Sequence, residues 1–164
     1  MTNTDTAAYW IHHLGLLPHP EGGFYTETFR SGTSVNRTGG TMVKQACTSI
    51  HYLLEGADYS GFHRIGSDEI WYFHKGAPLH IHAIDKDGKY IVHELSDRPS
   101  GNLSVVIPAG QWFAAELPGK EHYALVSCAV APGFDFAEFE MAVTGPLSDQ
   151  YPQHKAIIGR LCRL

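Results

Sequence analysis

Short apolar runs separated by turn residues dominate the chain from residue 46 onward. Gly, Pro, Asp and Ser clusters divide these runs, which are rich in β-branched and aromatic residues. The runs are ACTSIHYLLE, YSGFHR, IWYFHK, PLHIHAI, KYIVHEL, LSVVI, WFAAEL, YALVSCAV and FDFAEFEMAV. Runs of this length and composition are typical of β-strands. Because no helical pattern separates one run from the next, the sequence predicts an all-β sandwich or barrel.

The two ends of the chain show helical spacing instead. Asp5 or Thr6 can cap a short N-terminal helix over about residues 5–15, because apolar residues recur there every three or four positions. The tail turns helical after Pro152, and its apolar stripe predicts a C-terminal helix over about residues 152–163. Between them the barrel is expected over about residues 24–144, with its first strand in FYTETFR.

Length and composition favour a single domain over residues 1–164 in a reducing compartment. Cys47, Cys128 and Cys162 are widely spaced and form no C-x-x-C pair, which is typical of a cytoplasmic protein. The first ten residues lack the features of a signal peptide, and no apolar run has the length of a membrane span. The net charge is -5 and the basic residues are scattered singly. We therefore expect neither a nucleic-acid nor a membrane partner.

The run over residues 69–75 has large apolar residues on both faces, since Ile70 and Tyr72 oppose Trp71 and Phe73. A strand with one buried face would alternate with polar residues. The second face must meet another layer or another subunit, and we expect a homodimer packed partly through it.

The stretch FHRIGSDEIWYFHKG contains the spacing that points to a site. Alternation places His63 and Ile65 on one face of a strand, and Glu69, Trp71 and Phe73 on one face of the next. If those faces point the same way, an imidazole and a carboxyl group meet on an aromatic wall. The pattern therefore predicts a small-molecule pocket inside the barrel.

These residues resemble the cupin superfamily, whose first motif is G-x5-H-x-H-x3,4-E-x6-G. His63 takes the place of the first His, Ile65 of the second, Glu69 of the Glu and Gly76 of the closing Gly. In the second motif, G-x5-P-x-G-x2-H-x3-N, the Pro and first following Gly match residues 108 and 110, and Phe113 replaces the His.

The resemblance extends to the cupin 5 family of domains of unknown function, through HPEGGFYTET, SDEIWYFHKG, VIPAGQWFAAEL and VAPGFDFAEFEMA. It covers roughly residues 10–145. It implies a double-stranded β-helix, the cupin jelly roll, which is commonly dimeric. It implies little about the reaction, because the family has no assigned function.

A metal of the common cupin type would need three His and one Glu, of which this chain keeps His63 and Glu69. Ile65 and Phe113 put hydrocarbon where the other imidazoles would be, and Gln111 is a weak substitute ligand. Structural and catalytic metal sites ordinarily use at least three protein ligands. We therefore expect no cofactor and a metal-free pocket; a divalent metal, if bound, would use His63 and Glu69.

Three functions remain open on these residues. In the first, His63 is a base and Glu69 orients it or acts as an acid, for isomerisation or epimerisation of a small sugar-like metabolite, an arrangement similar to that of cupin-fold sugar epimerases. In the second, the protein binds a small ligand without chemistry. The third is a metal-dependent enzyme with an atypical site. In each, the expected ligand contacts are Ile65, Trp71, Phe73, Gln111 and Phe113.

Further polar residues bear on these alternatives. Glu21, Glu27 and Asp135 are candidates for a second titratable group beside His63. The sequence also contains His80-x-His82, but no Glu follows at the cupin interval, so we expect both side chains on a solvent-facing strand surface.

Overall fold

The computed structural model describes residues 5–164 and contains two antiparallel sheets that face each other. The strands are β1 Leu17–Pro18, β2 Phe24–Arg30, β3 Ser34–Asn36, β4 Val43–Gln45, β5 Thr48–Glu55, β6 Tyr59–Arg64, β7 Asp68–Gly76, β8 Leu79–Ile84, β9 Tyr90–Leu95, β10 Ser104–Ile107, β11 Trp112–Glu116, β12 Tyr123–Ala131 and β13 Glu140–Met141. The helices are α1 Ala7–Leu14, α2 Thr144–Gln150 and α3 Lys155–Leu161.

The strand order is that of a double-stranded β-helix. One sheet runs β1-β2-β5-β12-β7-β10, the other β13-β6-β11-β8-β9, and β3 and β4 form a separate hairpin. The chain passes repeatedly between the two sheets, so strands next to each other in sequence often belong to different layers. The fold class predicted from the turn-punctuated apolar runs is confirmed.

The main core lies between the two sheets. Alternate residues of each strand point inward, among them the fully buried Trp71 on β7, Ile81 on β8, Phe113 on β11 and Val126 on β12. Because these large side chains fill much of the barrel interior, open space remains only where they do not reach.

Helices cover two outer faces of the sheets. Helix α1 begins after Thr6, whose hydroxyl accepts a hydrogen bond from the Tyr9 N–H, and it packs its apolar residues on β5 and β12. The C-terminal pair α2 and α3 packs on the five-stranded sheet. We did not predict α2, whose sequence contains Gly145 and Pro146; the proline lies in the first turn, where a missing N–H costs little.

The C-terminal helices overturn one expectation about the histidines. His82 is 5% exposed, because its strand face lies under this layer, where its imidazole contacts Tyr90 and Glu116. Burial lowers the pKa of His82 to about 4, although the neighbouring Glu116 carboxylate acts in the opposite direction.

No helix within residues 5–164 is long and apolar enough to cross a lipid bilayer.

The outer face of β7 carries Tyr72, which is 40% exposed, next to Val106 of β10, which is 54% exposed. The homodimer expected through this face stays a prediction.

Candidate functional site

A cavity of about 440 Å³ opens at one end of the barrel. It lies between strands β2, β5, β6, β7 and β12 and the segment 134–139 that follows β12. Its volume is within the range of small-molecule sites in proteins. Its lining is Leu17, His19, Glu21, Tyr25, Thr26, Glu27, Arg30, Thr48, Ile50, His63, Ile65, Glu69, Cys128, Val130, Phe134, Asp135, Phe136 and Phe139.

A histidine and a glutamate form a buried pair in the cavity wall. His63 on β6 places Nε2 3.1 Å from Oε2 of Glu21. Its other nitrogen, Nδ1, lies 2.7 Å from the carbonyl oxygen of Gly61 and must donate to it, since a carbonyl only accepts. At this distance the His63 ring forms an ion pair with the Glu21 carboxylate when the ring is protonated.

The loop before β2 holds Glu21 in this position. Gly22 and Gly23 follow it with φ of +111° and +71°, in the region that favours glycine. A Cβ on Gly22 would lie 2.1 Å from the Tyr59 carbonyl oxygen, so no other residue fits. The Glu21 carbonyl accepts from the Gly61 N–H at 2.8 Å and from Arg163 Nε at 2.6 Å. Gly61 thus aligns both members of the pair, Glu21 through its N–H and His63 through its carbonyl.

A second carboxyl group faces the same cavity. Glu69 on β7 is 7% exposed, and desolvation, followed by the nearby charge of Glu21, raises its pKa to about 8. The thiol of Cys128 on β12 hydrogen-bonds to it, and burial together with Glu69 raises the pKa of that thiol well above its usual value. At neutral pH the cavity therefore contains a protonated carboxylic acid and an unreactive thiol.

His19 completes the inner wall. Its Nδ1 accepts the Glu21 backbone N–H at 3.2 Å, which leaves the proton of the neutral ring on Nε2. Burial lowers the pKa of His19, while the Glu21 carboxylate opposes that effect. Its ring stands edge-on to Tyr25, with centroids 4.5 Å apart. His19 is therefore an uncharged imidazole at neutral pH.

The rim of the cavity combines an ion pair with aromatic rings. Arg30 binds Glu27 through two hydrogen bonds, from Nε at 3.0 Å and from Nη2 at 2.6 Å. Asp135, whose charge acts on Arg30, accepts the Ala137 N–H and so begins a 3₁₀ turn over Phe136–Glu138. This turn places three phenylalanine rings at the opening: Phe134, Phe136 and Phe139.

A family model described as Cupin superfamily (DUF985) matches residues 8–142. The chain belongs to this cupin family. A hypothetical protein from Leishmania major is 36% identical with a TM-score of 0.88, and the match covers 96% of this chain and 98% of that one. A protein from Shewanella oneidensis is 35% identical with a TM-score of 0.88 and the same coverage, 96% and 98%. No curated protein matches the chain.

Structures of Bacillus subtilis oxalate decarboxylase share the cupin fold at greater distance. One, described with Mn(II) centres, is 13% identical with a TM-score of 0.54, and the match covers 88% of this cupin and 36% of the decarboxylase chain. At this identity the likeness concerns the fold alone.

The donor set of this cupin differs from the three-imidazole, one-carboxylate set that the superfamily resemblance implies. Ile65 and Phe113 occupy two of the four motif positions, and Nε2 of His63 lies 3.1 Å from the carboxyl group of Glu21. Among residues 5–164, no group of three or more His, Cys, Asp or Glu is arranged to hold a metal ion. The residues present do not fit that metal site.

Three of the predicted site residues line the cavity together, namely His63, Ile65 and Glu69. The other four do not. Trp71, Phe73 and Phe113 pack in the core between the sheets, and Gln111 lies in the loop before β11. The Phe113 ring contacts His63 from behind, with centroids 4.1 Å apart. The expected aromatic wall is therefore the solid interior of the barrel, because these rings pack on one another rather than on an open space.

Two features of the site were left open or missed by sequence reasoning. All three candidate carboxyl residues, Glu21, Glu27 and Asp135, line the cavity, and it is Glu21, not Glu69, that lies within ion-pair distance of His63. His19 was not a candidate, although it begins the polar, Gly-rich stretch HPEGG, which could have pointed to it.

Proposed function

We propose that this cupin binds a small polar molecule in the cavity and transfers protons to and from it. The supporting observation is that a carboxylic acid and a histidine–carboxylate pair lie in one buried wall. Glu69 has a pKa of about 8, and His63 places Nε2 3.1 Å from the carboxyl group of Glu21. A carboxyl group that can gain or lose a proton near neutral pH is an effective acid–base catalyst.

The reaction that suits this pair is isomerisation or epimerisation. In the ion-paired form, the Glu21 carboxylate removes a proton from a carbon next to a carbonyl, while Glu69 protonates the carbonyl oxygen as the enol forms. For an isomer, Glu21 returns its proton to the neighbouring carbon while Glu69 takes a proton from the hydroxyl oxygen on that carbon. For an epimer, the enol first turns its other face to Glu21, which reprotonates the same carbon while Glu69 takes back the proton of the enol oxygen. No proton or electron is gained or lost overall. His63 acts through Glu21, because its Nδ1 is bonded to the Gly61 carbonyl and its Nε2 lies 3.1 Å from the Glu21 carboxyl group.

Proton exchange in D₂O tests this chemistry. The protein is incubated with a panel of aldoses, ketoses and amino sugars, and ¹H NMR follows the loss of carbon-bound protons. We expect exchange with at least one compound, a fall of about 10²-fold or more in Glu69→Gln and in His63→Gln, and no change in His93→Gln, which alters a histidine on β9 outside the cavity.

The outcomes separate the remaining functions. Ligand binding without exchange in the wild type would favour the non-catalytic binding module, which the same cavity supports. Exchange that survives in both variants would overturn the roles given to Glu69 and His63. Exchange that is abolished by a chelator and restored by a divalent metal would favour the metal-dependent alternative.

A cytoplasmic, reducing environment is part of this proposal. Cys47, Cys128 and Cys162 are free thiols. Thiols that stay reduced are typical of proteins in such a compartment.

A further inference from the structure

The cavity lining combines apolar side chains with four acidic ones. Glu21, Glu27, Glu69 and Asp135 contribute carboxyl groups, and Arg30 is the permanent cation among the described lining residues. Three of the five N–H donors of Arg30 are bonded, since Nε and Nη2 bind Glu27 and Nη1 binds Gln45 at 3.2 Å. An anionic ligand would therefore meet a guanidinium whose charge is already paired with Glu27.

Glu69 is a buried carboxyl group that the protein leaves without a strong partner. Within residues 5–164 its side chain has no ion pair, and its hydrogen bond is to the weakly polar thiol of Cys128. A buried carboxyl group without a strong donor is costly, and it stays protonated until a positive charge approaches. Its position in the cavity lining therefore points to a ligand with a positive charge.

The rim adds an aromatic contact surface. Phe134 and Phe136 lie with centroids 4.9 Å apart at 82°, and Phe136 and Phe139 lie 5.9 Å apart at 75°. Phe134 and Phe139 are 6.0 Å apart at 68°. Three rings at steep angles to one another offer both faces and edges at the opening, and Phe136 is 55% exposed. Ring faces attract cations, most strongly where water is excluded.

We infer that the ligand of this cavity is a small organic cation, with its ammonium group held by the phenylalanine rings of 134–139 and the carboxyl groups of Glu69 and Asp135. This inference rests on the proposed function only in using the same cavity, and it narrows the ligand class from sugar-like metabolites to those that carry an amine. Beside a bound ammonium group Glu69 is an ionised counter-ion, so its role as the acid of the proposed chemistry is confined to uncharged ligands. Phosphorylated ligands such as sugar nucleotides are disfavoured, because a phosphate beside Glu69 would gain no ion pair there and would face the carboxyl group of Asp135.

A cation in the cavity changes the proton balance of Glu69. The bound charge stabilises its carboxylate, so binding at neutral pH expels a proton into the solvent. Above pH 8 the carboxylate is already ionised, and the cation then binds more tightly without releasing a proton. This coupling distinguishes contact with Glu69 from binding elsewhere on the surface.

Three probes of matched shape test the sign of the charge: choline, its uncharged carbon analogue 3,3-dimethylbutan-1-ol, and the anion 3,3-dimethylbutanoate. Titration calorimetry at pH 7 gives their affinities. We expect choline to bind about tenfold or more tightly than the alcohol, a difference of one order of magnitude, and the anion to bind least. Calorimetry in two buffers of different ionisation enthalpy should show release of more than half a proton per choline at pH 7 and almost none at pH 9.5.

Two variants locate the contact. Glu69→Gln should remove the proton release and the gain in choline affinity between pH 7 and pH 9.5. Phe136→Ala should weaken choline binding about fivefold or more, as expected for loss of a cation–π contact. Phe29→Ala is the matched control, because Phe29 on β2 is 54% exposed, like Phe136, but does not line the cavity. Its affinity for choline should match the wild type.

Equal or tighter binding of the alcohol or the anion would overturn the inference. So would choline binding that is unchanged in both Glu69→Gln and Phe136→Ala. Exchange of sugar protons without choline binding would support the proposed proton transfer and refute the cationic ligand. Choline binding without proton exchange in any amine-bearing compound would support the cationic ligand and refute the proton transfer.

Discussion

The protonated carboxyl group of Glu69 makes the stability of the protein depend on pH in a way that one substitution can isolate. Its pKa rises from 4.5 to about 8 on folding, because burial and Glu21 disfavour the charged form. Below pH 4.5 both the folded and the unfolded chain hold this proton. Between pH 4.5 and 8 the unfolded chain releases it and the folded chain keeps it, so the free energy of unfolding falls as pH rises. Above pH 8 both states are ionised and the loss is complete.

The size of this effect follows from the two pKa values. One pKa unit corresponds to about 1.4 kcal/mol. The difference between folded and unfolded Glu69 is therefore worth about 5 kcal/mol, a third or more of the stability of a typical domain. The variant Glu69→Gln keeps the shape of the side chain and has no proton to lose. The free energy of unfolding of the variant, minus that of the wild type, should rise by about 5 kcal/mol from pH 4.5 to 8.5.

Urea denaturation of both proteins at pH 4.5, 5.5, 6.5, 7.5 and 8.5 measures this difference. Comparison within each pH cancels the contributions of other titrating groups, including His19 and His82. The control is Glu27→Gln, which removes an exposed rim carboxylate paired with Arg30, and whose effect should stay below about 1 kcal/mol. If the difference in the free energy of unfolding between Glu69→Gln and wild type does not change across this pH range, folded Glu69 is ionised like an ordinary surface glutamate. Both proposals for the cavity would then be refuted, because each requires Glu69 to be protonated at neutral pH.

Three further results are expected. Arg163→Ala removes the hydrogen bond from Nε to the Glu21 carbonyl. It should therefore lower the free energy of unfolding by about 1–3 kcal/mol in urea titrations and lower the affinity for ligands of the cavity. Unchanged affinity would show that the loop holds Glu21 in place without this bond. Because burial lowers the pKa of His82 to about 4, folded His82 stays neutral while the unfolded chain gains a proton below pH 6.5. Stability should therefore fall between pH 6.5 and 4, and thermal melting should show a smaller fall in His82→Gln. We also propose that the exposed side chains of Tyr72 and Val106 lie in a homodimer interface. Light scattering should then give a dimer for the wild type and a monomer for Tyr72→Glu. A wild type that is monomeric at micromolar concentration would contradict the interface.

Much of the fold was predictable because its signals are local. The turn residues between short apolar runs located most of the strands, but FDFAEFEMAV, predicted as a strand, forms the 3₁₀ turn Phe136–Glu138 and only the two-residue β13. Of the two cap candidates Asp5 and Thr6, the structure has Thr6 at the start of α1. Helix α2 was not predictable in this way, since TGPLSDQ has weak helix propensity and the helix is held by packing against the five-stranded sheet. His82 was misplaced for the same reason, because the layer that buries it comes from the far end of the chain.

The candidate site was also predictable only where its signals are local. Alternation along two strands was enough to place His63 and Glu69 in one cavity, since side-chain direction in a strand has a period of two. Alternation also put Trp71 and Phe113 on the inward faces of their strands, but inward-facing residues can line a cavity or fill a core. The choice depends on what packs against them, and here they meet each other, with centroids 6.2 Å apart.

The sequence alone determined the strand pattern, the family and two of the polar groups of the cavity, because the signal for each lies in short stretches of neighbouring residues. Tertiary structure decided that Glu21, more than forty residues before His63, lies within ion-pair distance of it, and that residues 134–139 form the aromatic rim. Those partners come from separate turns of the β-helix, and their distances depend on how the two sheets close. The protonation of Glu69 likewise follows from burial and a neighbouring charge, which only the folded chain brings together.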